Sequence, residues 1–185
     1  MSGSSRRADV FLDLDEDPRE ELPRLGDEKT TLATSLRHLR LTLEIKCEGL
    51  DAEQMARRAV PPSTMSLLGL VRHLAHIEQG AFRVEMAGQK VELHYTSPTN
   101  RDGDFDDAVA DPELVAEAWA TWRDEVAFAE QFVEAADDLG MTGISSWDGS
   151  PVSLREAMVG MIEEYARHLG HVDLLRERID GRLGQ

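Results

Sequence analysis

The amino-acid sequence predicts an all-α protein, a four-helix bundle. Three observations carry that expectation. Four long segments repeat apolar residues every three or four positions, each of them opens at a residue suited to capping a helix, and the second and third are joined by a connection too long for a simple hairpin.

The first helix is expected from about Asp27, an N-cap residue, to Gly49, with Leu32, Leu36, Leu39, Leu43 and then Cys47 or Leu50 along one face. The second, from about Ser66 to Gly88, aligns Leu67, Leu70, Leu74, Ile77, Ala81 and Val84. The stretch Gln89 to Ala110 follows (QKVELHYTSPTNRDGDFDDAVA). Its length lets helices two and three run parallel, and loops this long are often functional or mobile rather than idle. Asp111-Pro112-Glu113 then supplies an N-cap and a proline at the first helical position, and the third helix continues through Trp119, Trp122, Val126 and Phe132 to about Asp138. Gly140 to Pro151 is rich in turn formers and is expected to make a short hairpin or lid. The fourth helix starts on the capping-box spacing Ser153-Leu154-Arg155-Glu156 and repeats Leu154, Met158, Met161, Tyr165, Leu169, Val172, Leu175 and Ile179 before Gly181.

A chain of 185 residues is enough for one substantial core and short for two. The expected division is an acidic, partly disordered lead-in over 1–26 and one helical domain over 27–185. No apolar run reaches the ~20 residues of a membrane span, and the start lacks the uninterrupted apolar stretch of a secretion signal. A cytoplasmic protein is expected. The formal charge of -16 repels phosphate backbones and anionic headgroups, so neither nucleic acid nor a membrane is an expected partner. The one cysteine, Cys47, rules out an internal disulfide. It falls near a helix C-terminus, where the dipole disfavours a thiolate, and reads as inert. Arginine outnumbers lysine 17 to 3, a bias that GC-rich codon usage of an actinobacterial type produces.

The chemistry-bearing residues are two histidine pairs on two different helices. His73 and His76 lie in LVRHLAHIEQ; His168 and His171 lie in EEYARHLGHVDLLRE, preceded by Glu164. Residues three or four apart share a helix face, so Glu164, His168 and His171 form one polar stripe. The step from Glu164 to His168 lets a carboxylate oxygen and an imidazole nitrogen share an ion. A third ligand from a facing helix would leave a coordination position open for water or substrate. The plainer reading is that such a Glu and His make an ordinary surface hydrogen bond and that a histidine near a core is simply hydrogen-bonded. A di-iron centre is disfavoured, because bundle di-iron sites need Glu-x-x-His on two helices, a spacing absent around both pairs.

The string SLLGLVRHLAHIEQ, followed about 90 residues later by LREAMVGMIEEYARHLGHVDLLRERIDG, resembles the actinobacterial mini-circle protein branch of the DinB-like superfamily. The leading DEKTTLATSLRHLRLTLEIKCEGLDAEQMARRAVPPS resembles it too, so the likeness spans nearly all of the chain from about Asp27. It implies an up-down-down-up bundle, which suits the long connection after helix two. It also implies one divalent ion, zinc first and nickel second, held by one histidine of helix two and two ligands of the last helix. Those positions map onto His73, Glu164 and His168. Relatives commonly carry glutamine at the position of His171, which places that residue beside the ligands or as an alternative to Glu164; His76 is assigned a supporting role. Gln79-Gly80-Ala81-Phe82 departs from the branch, whose members tend to carry aromatic bulk there, and a wider pocket is the expected consequence.

The activity implied is that of a metal-dependent thiol S-transferase or isomerase resembling the mycothiol-dependent enzymes. Its partners would be a low-molecular-weight thiol and an electrophile, with a homodimer as the common assembly. An open position on the ion binds the thiol sulfur and favours its ionised form, so no protein nucleophile is needed. The alternative is a non-catalytic, stress-associated metal-binding protein whose ion is structural or sensed, with His171 closing the coordination sphere. Arg40, Arg72 and Arg167 are candidates to hold a co-substrate, although an arginine on an acidic helical protein is more often half of an ion pair. Trp119 and Trp122 read as core aromatics.

Overall fold

A computed structural model describes residues 11–12 and 15–184. Its main elements are α1 (Glu28–Cys47), α2 (Ala52–Ala56), α3 (Leu67–Glu78), which runs on as a π-helical segment over Gln79–Met86, α4 (Gly103–Asp106), α5 (Pro112–Ala135), the strands β1 (Thr142–Ile144) and β2 (Pro151–Ser153), and α6 (Leu154–Asp180). The four expected helices are α1, α3 with its continuation, α5 and α6.

Each begins where a short polar side chain can satisfy free backbone N–H groups. Asp27 accepts from Thr30 N, Ser66 from Gly69 N, Asp111 from Glu113 N with Pro112 just inside, and Ser153 from Glu156 N. α6 stops at Gly181, whose φ of 78° is left-handed and favours glycine. α2 was not anticipated, yet Asp51 and Gln54 form a reciprocal capping box at its start. The turn-rich segment after α5 forms the expected hairpin, with Gly143 opposite Val152.

Side-chain contacts fix the helix directions. Glu28 meets Arg155 and Lys46 meets Asp173, so α1 and α6 run parallel. Lys29 reaches the carbonyls of Glu134 and Ala136 while Arg123 meets Glu44, so α5 runs against α1. His73 lies by His168 and Glu78 by Tyr165, so α3 runs against α6. The result is up-down-down-up. Leu36, Leu43, Leu67, Leu70, Leu74, Trp122, Met158, Met161, Tyr165 and Val172 fill the shared core.

Of the lead-in, residues 1–10 and 13–14 lie outside the described residues. Within the rest, Asp17 caps a 3-10 turn over Pro18–Glu21, and Phe11 is buried. The long connection carries α4 and is held to the bundle at several points. Gln79 donates to Glu92 O and accepts from His94 N, and His94 Nε2 pairs with Glu125 of α5 at 3.0 Å.

Candidate metal centre

Antiparallel packing of α3 on α6 sets His73 opposite Glu164 and His168. One ligand atom of each lies within 4.8 Å of the other two. The imidazoles of His73 and His168 meet edge-on with ring centres 4.8 Å apart. His168 Nε2 stands 3.2 Å from Glu164 Oε2 across one helical turn, the approach that the four-residue step requires.

His168 is largely buried, its side chain 12% exposed. Burial first, and then the neighbouring His73, push its pKa down to about 4, so the ring is neutral at physiological pH. A neutral imidazole can offer a lone pair to a cation. Two imidazoles and one carboxylate are a donor set that zinc, nickel and other first-row divalent ions accept. The residues present therefore fit the ion implied by the resemblance, and among the described residues this is the cluster of three donors that the fold assembles.

His171 sits outside that trio. Its Nδ1 is 3.3 Å from His168 Nδ1, the ring nitrogen turned away from Glu164. It contacts His168 and is not one of the three converging donors. His76 is one turn along α3 from His73; burial lowers its pKa, and its Nδ1 is buried without a hydrogen-bond partner among the described residues. It borders a separate hollow with Glu92, Thr96 and Arg101.

A cleft of about 700 Å³ opens over the three donors, walled by Thr64, Met65, Phe105 and Arg167, with Asp102 and Asp106 at its edge. Of the three candidate arginines, only Arg167 borders it. Arg40 is buried in a two-hydrogen-bond pair with Glu78, and Arg72 donates to the carbonyls of Gly103 and Asp107. Gln79-Gly80-Ala81-Phe82 does not line this cleft. Phe82 is fully buried in the core, and a Cβ at Gly80 would meet nothing within 4 Å. Trp122 is a core residue that donates from Nε1 to Tyr165 OH at 2.8 Å, with Trp119 edge-on at 5.4 Å. Cys47 is buried, and that burial raises its thiol pKa to about 12.

Sequence reasoning missed Asp104. This loop carboxylate is buried, and its Oδ2 lies 2.8 Å from His73 Nδ1. The only available signal was its place in the acidic run NRDGDFDD, which reads as solvated loop.

The fold is that of two solved proteins. A conserved protein from Enterococcus faecalis superposes with a TM-score of 0.58 at 14% identity, over 85% of this chain and 99% of that one. The mycothiol-dependent maleylpyruvate isomerase superposes with a TM-score of 0.57 at 13% identity, over 82% of this chain and 61% of that one, so this chain spans less than two thirds of the isomerase's length. No curated protein matches the chain in sequence. The family model described as mycothiol-S-transferase matches residues 31–181, a span that holds all four long helices almost whole and all three converging donors. The chain belongs to the mycothiol-S-transferase family.

Proposed function

We propose that the protein is a divalent-metal-dependent thiol S-transferase or isomerase using a low-molecular-weight thiol of the mycothiol type, with His73, Glu164 and His168 as the metal ligands. The observation that carries this reading is the convergence of these donors beneath an open cleft, in a chain of this family. The family and the isomerase-like fold support the thiol; the donor set supports the ion, with zinc the best fit and nickel the next.

A divalent ion bound there would supply Lewis acidity that favours an ionised thiol sulfur at neutral pH. The chain's own residues do the rest. His73 and His168 would each offer a ring nitrogen, and Glu164 a carboxylate oxygen. Phe105 and Met65 wall one part of the cleft with apolar surface, while Arg167, 3.5 Å from Glu164, keeps the carboxylate side polar. In transfer, the sulfur lone pair forms a bond to an electrophilic carbon. The leaving group departs with its bonding pair, and the thiol proton passes to solvent. In isomerisation the same sulfur adds to one carbon of a double bond and pushes its electron pair onto the substrate; the bond, now single, rotates, and the double bond re-forms as the sulfur leaves, regenerating the thiol. Neither route uses a protein nucleophile, which suits a chain whose one cysteine is buried away from the cleft.

The alternative, a structural or sensed ion, needs a fourth protein donor, and His171 faces the far nitrogen of His168 instead. The test is conjugation of a mycothiol-type thiol to an electrophilic dye by zinc-loaded protein. Product formation abolished by a chelator and restored by zinc is expected. A tightly held ion with no product above the protein-free rate would overturn the enzymatic reading.

A further inference from the structure

The crossover loop does more than join α3 to α5. Its short helix α4 is fastened to α3 directly beside His73. Arg72, the residue before His73, is buried and donates from one guanidinium nitrogen to Gly103 O at 2.9 Å and from another to Asp107 O at 3.3 Å. One face of that guanidinium is covered by the Tyr95 ring, whose centre lies 4.3 Å from Arg72 Cζ. Tyr95 holds a left-handed φ of 62°, unfavourable for a bulky side chain and kept only where surrounding contacts fix it. One turn before His73, Gly69 makes room for Phe105: a Cβ there would come within 2.8 Å of Phe105 Cδ1. Phe105 in turn lies nearly parallel to the His73 ring, at 30° with centres 5.2 Å apart.

Between these anchors sits Asp104. Its Oδ1 accepts from Phe105 N at 3.0 Å and its Oδ2 faces His73 Nδ1 at 2.8 Å. A carboxylate only accepts, so the hydrogen of a neutral His73 belongs on Nδ1 and the lone pair on Nε2.

We infer that Asp104, locked in place by Arg72 and Phe105, is a positioning residue that fixes the tautomer and ring orientation of His73, so that its free nitrogen faces Glu164 and His168. The inference rests on the reading of those three residues as ligands. A carboxylate behind a ligating imidazole raises its basicity and removes the cost of selecting tautomer and ring orientation. Loss of such a partner costs about 10–100-fold in metal affinity.

The experiment uses the full chain as wild type, Asp104→Ala and Asp104→Asn. Asn keeps the size of the side chain and one acceptor oxygen, which guards against a result due to misfolding alone. Two quantities are read: zinc affinity by competition with a chromophoric chelator, and the His73 tautomer in the metal-free protein from its imidazole 15N shifts. Expected are an Nδ1–H tautomer in the wild type, loss of that preference in Asp104→Ala, and zinc affinity about 10–100-fold lower in Asp104→Ala with a smaller loss in Asp104→Asn. Wild-type tautomer or wild-type affinity in Asp104→Ala overturns the inference while leaving the ligand assignment standing. A wild-type protein that takes up no zinc overturns the ligand assignment and this inference with it.

Discussion

His168 concentrates the conflict that the site imposes on single residues. Its ring is buried beside a second imidazole, and its pKa falls from the ordinary 6.5 to about 4. The sign of the pH effect follows. Below pH 6.5 the unfolded chain takes up a proton at position 168 that the folded chain refuses until about pH 4. The full stability contribution is therefore present above pH 6.5 and is lost as pH falls through that window. Urea midpoints of metal-free protein should drop less between pH 7 and pH 5 in His168→Gln than in the wild type; equal drops would count against the burial argument. Cys47 gives a second prediction at this scale. With its pKa at about 12, native protein at pH 7.5 should react with iodoacetamide at least ~100-fold more slowly than urea-unfolded protein. Legibility also divides residue by residue. Glu164 and His168 were visible because their partnership spans one helical turn. Asp104 was not, because its contact with His73 depends on how a long loop folds back, which no local spacing encodes.

At the scale of elements, the least expected feature is a polar line through the core. Arg40 of α1 meets Glu78 of α3 through two hydrogen bonds of 2.8 and 2.7 Å. Tyr165 of α6 donates to Glu78 at 2.8 Å and accepts from Trp122 of α5. One chain of contacts thus ties all four long helices together. Burial opposes the charge on Arg40, but Glu78, Tyr165 and Glu130 together more than offset it and keep the guanidinium firmly ionised. Removing one partner leaves the other charge buried alone. Arg40→Met should therefore cost about 3–5 kcal/mol in denaturant unfolding, and Tyr165→Phe about 1–3 kcal/mol. A loss below ~1 kcal/mol for Arg40→Met would mean that the pair is not sequestered from water. Glu78 also ends the regular α-helix, and the π-helical turns that follow bury Gln79, Phe82 and Met86. The sequence predicted one uninterrupted helix here because side-chain periodicity marks which residues are apolar, while a shift to i+5 hydrogen bonding leaves no mark of its own. The helix starts were legible, since Asp27, Ser66, Asp111 and Ser153 each act within their own first turn.

At the scale of the molecule, the order of helices and the long crossover make the site. Parallel α1 and α6 and the crossover to α5 bring α3 against α6 in opposite directions, so a histidine of the first half of the chain meets a Glu-His turn of the second half. That arrangement was foreseen from a likeness of whole-chain motifs and a loop too long for a hairpin, whereas periodicity alone left open which histidine would face which. The most direct test of the central claim is zinc titration of metal-free wild-type protein and His168→Ala by calorimetry with a competing chelator. One ion per chain is expected for the wild type, with affinity reduced more than about 100-fold in His168→Ala, because a lost ligand costs more than a lost supporting partner. Equal affinity and stoichiometry in the two proteins, or no uptake by either, would contradict it.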